Sequence, residues 1–197
     1  NEEEAYVPTG DAILLEGQDP EDLIVEEEPA PVTLAYDPER SMNPLIAHSQ
    51  NNRVLFSLMY QPLFAVDNRK NPPPILCGKH QVSANQRNWF VYLDPNATFS
   101  DGSQVRVDDV IASYTQAMQN DYYKNRFLMH LISVEATEDG GIQFALDTPM
   151  DNLPILLDVP IVKASDVAME SGAPIGSGPY VLGDSVSGAV LHRNENW

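Results

Sequence analysis

The distribution of charge limits where this chain can build a core. Residues 1–39 carry 13 acidic side chains and no Lys or Arg. The rest of the chain carries 16 acids and 11 bases, so 13 of the 18 excess negative charges fall in the first fifth. Runs of like charge repel and stay extended. An arm over residues 1–28 is therefore expected, followed by a mildly acidic folded body over residues 29–197. Within the arm, the apolar runs Ile13-Leu14-Leu15 and Leu23-Ile24-Val25 predict short docked strands.

Composition then narrows the class. The 197 residues are 43% hydrophobic and 20% charged, which is a globular balance rather than a disordered one. A chain of this size buries about 70% of its unfolded surface. No apolar run approaches the roughly 20 residues of a membrane-spanning helix. A net charge of −18 disfavours nucleic acid, whose phosphates need clustered Lys and Arg. The single cysteine excludes an intrachain disulfide and a multi-cysteine metal site. Asn1 is followed by neither a basic nor an apolar leader region, and a start at Asn rather than Met points to a trimmed chain.

Periodicity supplies the elements. Val32–Tyr36 reads as a strand stopped by Asp37-Pro38. Val54, Leu55, Leu58 and Met59 share one face of a helix expected over residues 51–60. Asn71 to Pro74 is a stiff crossing. Asn88–Leu93 reads as a strand. Val107, Val110, Ile111, Tyr114 and Met118 mark the strongest helix, with Asp108 and Asp109 favoured by the dipole in its first turn. Ile132–Thr137 and Ile142–Leu146 flank Glu138-Asp139-Gly140-Gly141, a hairpin pattern. Leu153–Leu157 and Ser165–Ser171 read as short helices, the second ending at Gly172. Tyr180–Leu182 and Ala189–Arg193 read as strands. Helices and strands interleave without a regular βαβ period, which predicts a mixed α/β (α+β) fold.

Several chemistries find no support. His48, His80, His130 and His192 have no second ligand at metal spacing, so no metal site and no cofactor are expected. Cys77 sits in an apolar stretch and reads as a small buried side chain. Gly176-Ser177-Gly178 leads into a strand, whereas a phosphate cradle needs a helix start behind it. The same glycines flank the serine directly, which is not a nucleophile elbow. No enzyme is expected.

The order of motifs is informative. Asn43-Pro44-Leu45 is followed by Tyr60-Gln61-Pro62-Leu63 and Pro74-Ile75-Leu76-Cys77. Next come Ser83, Trp89, Val91 and Leu93, then Phe99 to Ser103 and Val107-Asp108-Asp109-Val110. Val134-Glu135-Ala136, Leu146 to Pro149, Gly176 to Tyr180 and Arg193 to Trp197 complete the series. In this order, over residues 32–197, the chain resembles the family 5 extracellular solute-binding proteins, the oligopeptide, dipeptide and nickel receptors of ABC importers. It departs from their pattern at His80, at the Asn85-Gln86 turn, at Arg106, which cannot cap a helix through its side chain, and at Asp94.

The resemblance implies a periplasmic-binding-protein-like fold. The chain would be the N-terminal part of a two-lobed clamp with the second lobe absent, cut from a longer protein. Residues 31–60 and 174–197 would form the core of the first lobe, and 61–173 an inserted subdomain. It implies a ligand held between lobes, with His48, Ser49, Gln50, Asn51, Asn52, Arg53, Tyr122, Tyr123 and Asp158 as candidate contacts and Tyr36 as a weaker one. Read from the residues alone, the first six are also a solvated helix start, the tyrosines also core packing beside Phe127, and Asp158 also a surface acid. The implied partners are a peptide and ABC permease subunits. Another small solute (a nickel chelate, a sugar, an opine-like compound) or a non-transport surface or chaperone module are alternatives. The implied location is the outer face of the cytoplasmic membrane, through a lipid anchor absent from this chain, or the periplasm. The acidic arm would then act as a spacer.

Overall fold

The computed structural model describes residues 5–6, 13–14, 34, 37, 41–47, 52–65, 72–126, 130–185 and 188–197. The chain separates into two units, Asn1–Leu34 and Ala35–Trp197. In the first, β1 (Ala5–Tyr6) pairs antiparallel with β2 (Ile13–Leu14), so one of the two apolar runs in the arm does form a short strand. The second run, Leu23-Ile24-Val25, lies outside the described residues, as does the strand expected over 32–36 apart from Leu34.

The second unit is built on helix α1 (Asn52–Met59) and a four-stranded antiparallel sheet. Its strands are β3 (Cys77–Val82), β4 (Asn88–Leu93), β5 (Leu131–Ala136) and β6 (Ile142–Leu146), in the order β3-β4-β6-β5. Alternation places Trp89, Val91, Ile142, Phe144 and Leu146 on the buried face. Helix α2 (Val107–Ala117) packs there through Val110, Tyr114 and Ala117, with Tyr114 edge-on to Phe144 at 5.0 Å between centroids. A final hairpin, β7 (Tyr180–Ser185) with β8 (Gly188–Arg193), lies beside α1.

Strand β3 was not legible from periodicity. Its residues beyond Cys77 are exposed, as on an edge strand, and β4 supplies the hydrogen bonds that make it a strand. The turn between them accommodates the missing glycine by putting Gln86 at φ 55°, while the Asn85 side chain accepts from Ser83 Oγ and Arg87 N. Arg106 offers no side-chain cap to α2; instead its backbone N–H donates to Asp109 Oδ2 at 2.8 Å. Asp109 Oδ1 also accepts from Ala164 N, which ties the helix start to a later loop.

Two expected helices are corrected. Leu153–Leu156 is one 3-10 turn with Pro154 near its start, and Ala164–Asp166 is another that goes no further. The second stops because Asn43 Nδ2 donates to the carbonyls of Asp166, Val167 and Met169, at 3.4, 3.0 and 3.1 Å, which a continuing helix would need. Asn43 is fully buried, and its Oδ1 accepts from Leu45 N. The N-P-L motif is thus a clip between distant segments.

Gly176 and Gly178 serve close packing. Gly178 N donates to Met59 O at 2.9 Å, and a Cβ at either glycine would fall within 2.4 Å of a carbonyl at the end of α1. Cys77 is buried, and burial raises its thiol to about 11 from an ordinary 9.0. At pH 8 a thiol reagent should label the native protein about 100-fold more slowly than the urea-unfolded chain, since reactivity follows the thiolate fraction. The unfolded thiol ionises first, so this group's stabilising contribution is complete below pH 9 and falls away between pH 9 and 11. Native labelling at the unfolded rate would refute the burial.

Candidate ligand cleft

The sequence between α2 and β5 forms a further short helix, α3 (Asp121–Lys124). Asn120 makes it possible. Its Oδ1 accepts from Tyr122 N at 2.9 Å, capping the helix, while its Nδ2 donates to Leu45 O. This fixes α3 against the N-P-L turn and aims two adjacent tyrosines differently. Tyr123 is buried and donates its hydroxyl to Pro44 O at 3.0 Å. Tyr122 is 40% exposed, with its ring edge-on to that of Tyr123 at 5.0 Å. Burial, first of all, raises the Tyr123 hydroxyl well above its ordinary value, so it stays a neutral donor.

Around these rings lies a cleft of about 540 Å³. Helix α1 supplies Arg53, Phe56 and Ser57, and the segment after it supplies Tyr60. The Arg53 guanidinium lies over the Tyr122 ring, 3.5 Å from its centroid, and that of Arg126 lies 5.7 Å from the same ring. Arg126 Nη2 pairs with Asp158 Oδ2 at 2.7 Å. The Asp158 side chain is only 9% exposed, and its Oδ1 is buried without a hydrogen-bond partner among the described residues. Burial works against the Arg126 charge, yet its bond to Asp158 and the charge opposite raise its pKa overall. The Tyr114 hydroxyl is likewise buried and unpartnered, held protonated chiefly by burial and next by the Asp158 charge.

The candidate residues therefore divide. Arg53, Tyr122, Tyr123 and Asp158 all line this one cleft, although 105 positions separate the first from the last. Asn52 does not line it. The Asn52 side chain is buried, accepts from Asp37 N at 2.7 Å and donates to Asp37 O at 3.1 Å, so it holds the start of α1 in place. His48, Ser49, Gln50 and Asn51, and the weaker candidate Tyr36, lie outside the described residues. The sequence reading passed over Arg126. Its signal was a rare base, three residues after the tyrosine pair, in a chain with 11 bases against 29 acids. Among the described residues no group of three or more His, Cys, Asp and Glu side chains is placed to hold a metal ion, and no helix is long and apolar enough to cross a membrane.

The pattern of the bacterial extracellular solute-binding proteins, family 5, matches residues 71–197, more than half of the chain. The chain belongs to that family. Binding proteins of Brucella melitensis and Brucella suis are each 26% identical to it over 80% of this chain and 29% of their own length. Among solved structures, the fold is similar to that of AgaA from A. tumefaciens R10 in complex with agropinic acid, with a TM-score of 0.69 and 19% identity. That match covers 83% of this chain and 35% of AgaA. It is also similar to Listeria monocytogenes OppA bound to peptide, with a TM-score of 0.68 and 15% identity over 84% of this chain and 38% of OppA. The periplasmic-binding-protein-like fold is thus established, and this family 5 chain spans about a third of the length of the relatives it matches.

Proposed function

We propose that this chain is the ligand-contacting N-terminal part of the substrate-binding component of an ABC importer. The receptor captures a solute, in the first place a peptide, outside the cytoplasmic membrane and delivers it to the permease subunits. The family match over residues 71–197 carries this reading. The cleft supports it with a concave, aromatic-lined surface bearing a few converging polar groups, as ligand sites have. Arg53, Tyr122, Tyr123, Arg126 and Asp158 are the contacts proposed. A second lobe closing over this face would bury the ligand. The proposed location is the outer face of the membrane, by a lipid anchor, or the periplasm. A non-peptide solute is the second reading, favoured by the likeness to AgaA, which was solved with agropinic acid.

Native mass spectrometry on the complete receptor, purified gently from its host, tests the proposal. A ladder of adducts that fragment as peptides is the expected result. A single discrete adduct shifts the reading to the second solute class. A bare protein mass, together with no uptake defect on deletion of the gene, would overturn the receptor reading.

A further inference from the structure

We infer that the ligand of this cleft carries a carboxylate, received by Arg53. This rests on the receptor reading above and names the chemistry its site selects. Among the described residues, the acidic and basic side chains that line the cleft are Arg53, Arg126 and Asp158. Arg126 and Asp158 neutralise each other at 2.7 Å. Arg53 has no carboxylate and no hydrogen-bond acceptor within reach among the described residues. Its only close partner there is the face of Tyr122. A chain with 29 acids and 11 bases has no shortage of acids to pair with it.

The stacking defines what Arg53 can still do. A guanidinium lying on a ring by its face keeps its N–H donors, which lie in its own plane, pointing outward as a fork. That fork matches the two oxygens of a carboxylate. Partial burial beside Phe56, Tyr60 and Tyr123 lowers the local dielectric and strengthens such a pair. The charge count favours a monoanionic group, since the described lining has one positive charge without an opposite charge beside it and a phosphate dianion would exceed it. Asp158 has a positioning role. By holding Arg126 it keeps a second guanidinium beside Tyr122 and leaves the excess charge on Arg53.

The ligand source is either the C-terminal carboxylate of a peptide or a non-peptide acid, and matched probes separate them. Binding to the complete receptor is measured by calorimetry with tripeptides to pentapeptides as free acids and as C-terminal amides. The same is done with N-carboxyethyl amino acids and their amides. At least one acid series is expected to bind about ten-fold or more tightly than its amide, as loss of a charge-assisted pair implies. Arg53→Met should erase that preference with an unchanged melting temperature, and Arg53→Lys should retain part of it. Preference in the peptide series assigns the carboxylate to a peptide C-terminus, and preference in the second series assigns it to a non-peptide acid. Equal binding of acids and amides, or an acid preference that survives Arg53→Met, would overturn the inference and leave the receptor reading standing. Failure of every probe to bind the folded receptor would count against both.

Discussion

Gly178→Ala should cost about 3 kcal/mol, the upper part of the range for overpacked sites. The added Cβ would sit 2.4 Å from Leu58 O and 2.5 Å from the Met59 carbonyl carbon. These atoms are backbone at the end of α1, so no side chain can swing away. Gly178 does not have a positive φ, so the effect would come from the methyl group itself. Gly176→Ala should behave alike, since its Cβ would approach Met59 O to 2.2 Å. Gly140→Ala is the control. Its φ is 83° but nothing lies within 4 Å of the added atom, so only the conformational cost of about 1 kcal/mol applies. Urea unfolding should show a midpoint drop of roughly 1–2 M for either of the first two, given the m-values of small domains. A drop for Gly178→Ala no larger than for Gly140→Ala would refute the close approach. Because Phe56 and Tyr60 line the cleft from this same helix end, the substitution should also weaken ligand binding.

Asn43→Ala should cost a comparable amount, about 3 kcal/mol, through the lost hydrogen bonds of a fully buried amide. Asn43 Nδ2 serves the carbonyls of Asp166, Val167 and Met169, and its Oδ1 serves Leu45 N. An alanine would leave the buried Leu45 N–H without its acceptor and take the amide away from all three carbonyls, of which Asp166 O would keep its bond from Met169 N. Asn43→Asp is the sharper variant, because it places a carboxylate oxygen where an NH₂ faced three carbonyls. It should destabilise at least as much as the alanine, despite being nearly the same shape. Hydrogen exchange should localise the loss, with protection falling around residues 164–175. A neutral result for Asn43→Asp by thermal melting would contradict the clip.

The elements that could be read in advance share one property: each is specified by residues within a turn or two of one another. The apolar stripe of α2, with its acids in the first turn, is local, and the helix ends at Ala117 with Met118 as its cap. The hairpin around Glu138 to Gly141 is local too, and Gly140 adopts φ 83° in it. The misreadings arose where a distant group decided the outcome. Ser165–Ser171 has helix-compatible residues, yet a side chain more than 120 positions away takes its carbonyls. Strand β3 has no periodic signal, and its neighbour β4 defines it.

The candidate site divides on the same principle. Asn52 looked like a polar residue at an accessible helix start. Its side chain is engaged with the Asp37 backbone, 15 positions earlier, a partner no local pattern announces. Arg126 carried no motif, and it matters because the fold sets it between Tyr122 and Asp158.

By itself the sequence determined the family, through the order and spacing of short motifs. It also determined the helices and hairpins whose apolar periodicity and turn residues lie close together, because such signals act through local backbone preference and one-sided burial. Only the tertiary structure decided which polar side chains close the architecture and which face the cleft. Asn43 and Asn120 belong to the first group, and Arg53 and Tyr122 to the second. Asparagine, arginine and tyrosine carry the same donors and acceptors in either role, and only the groups that packing brings within about 3 Å choose between them.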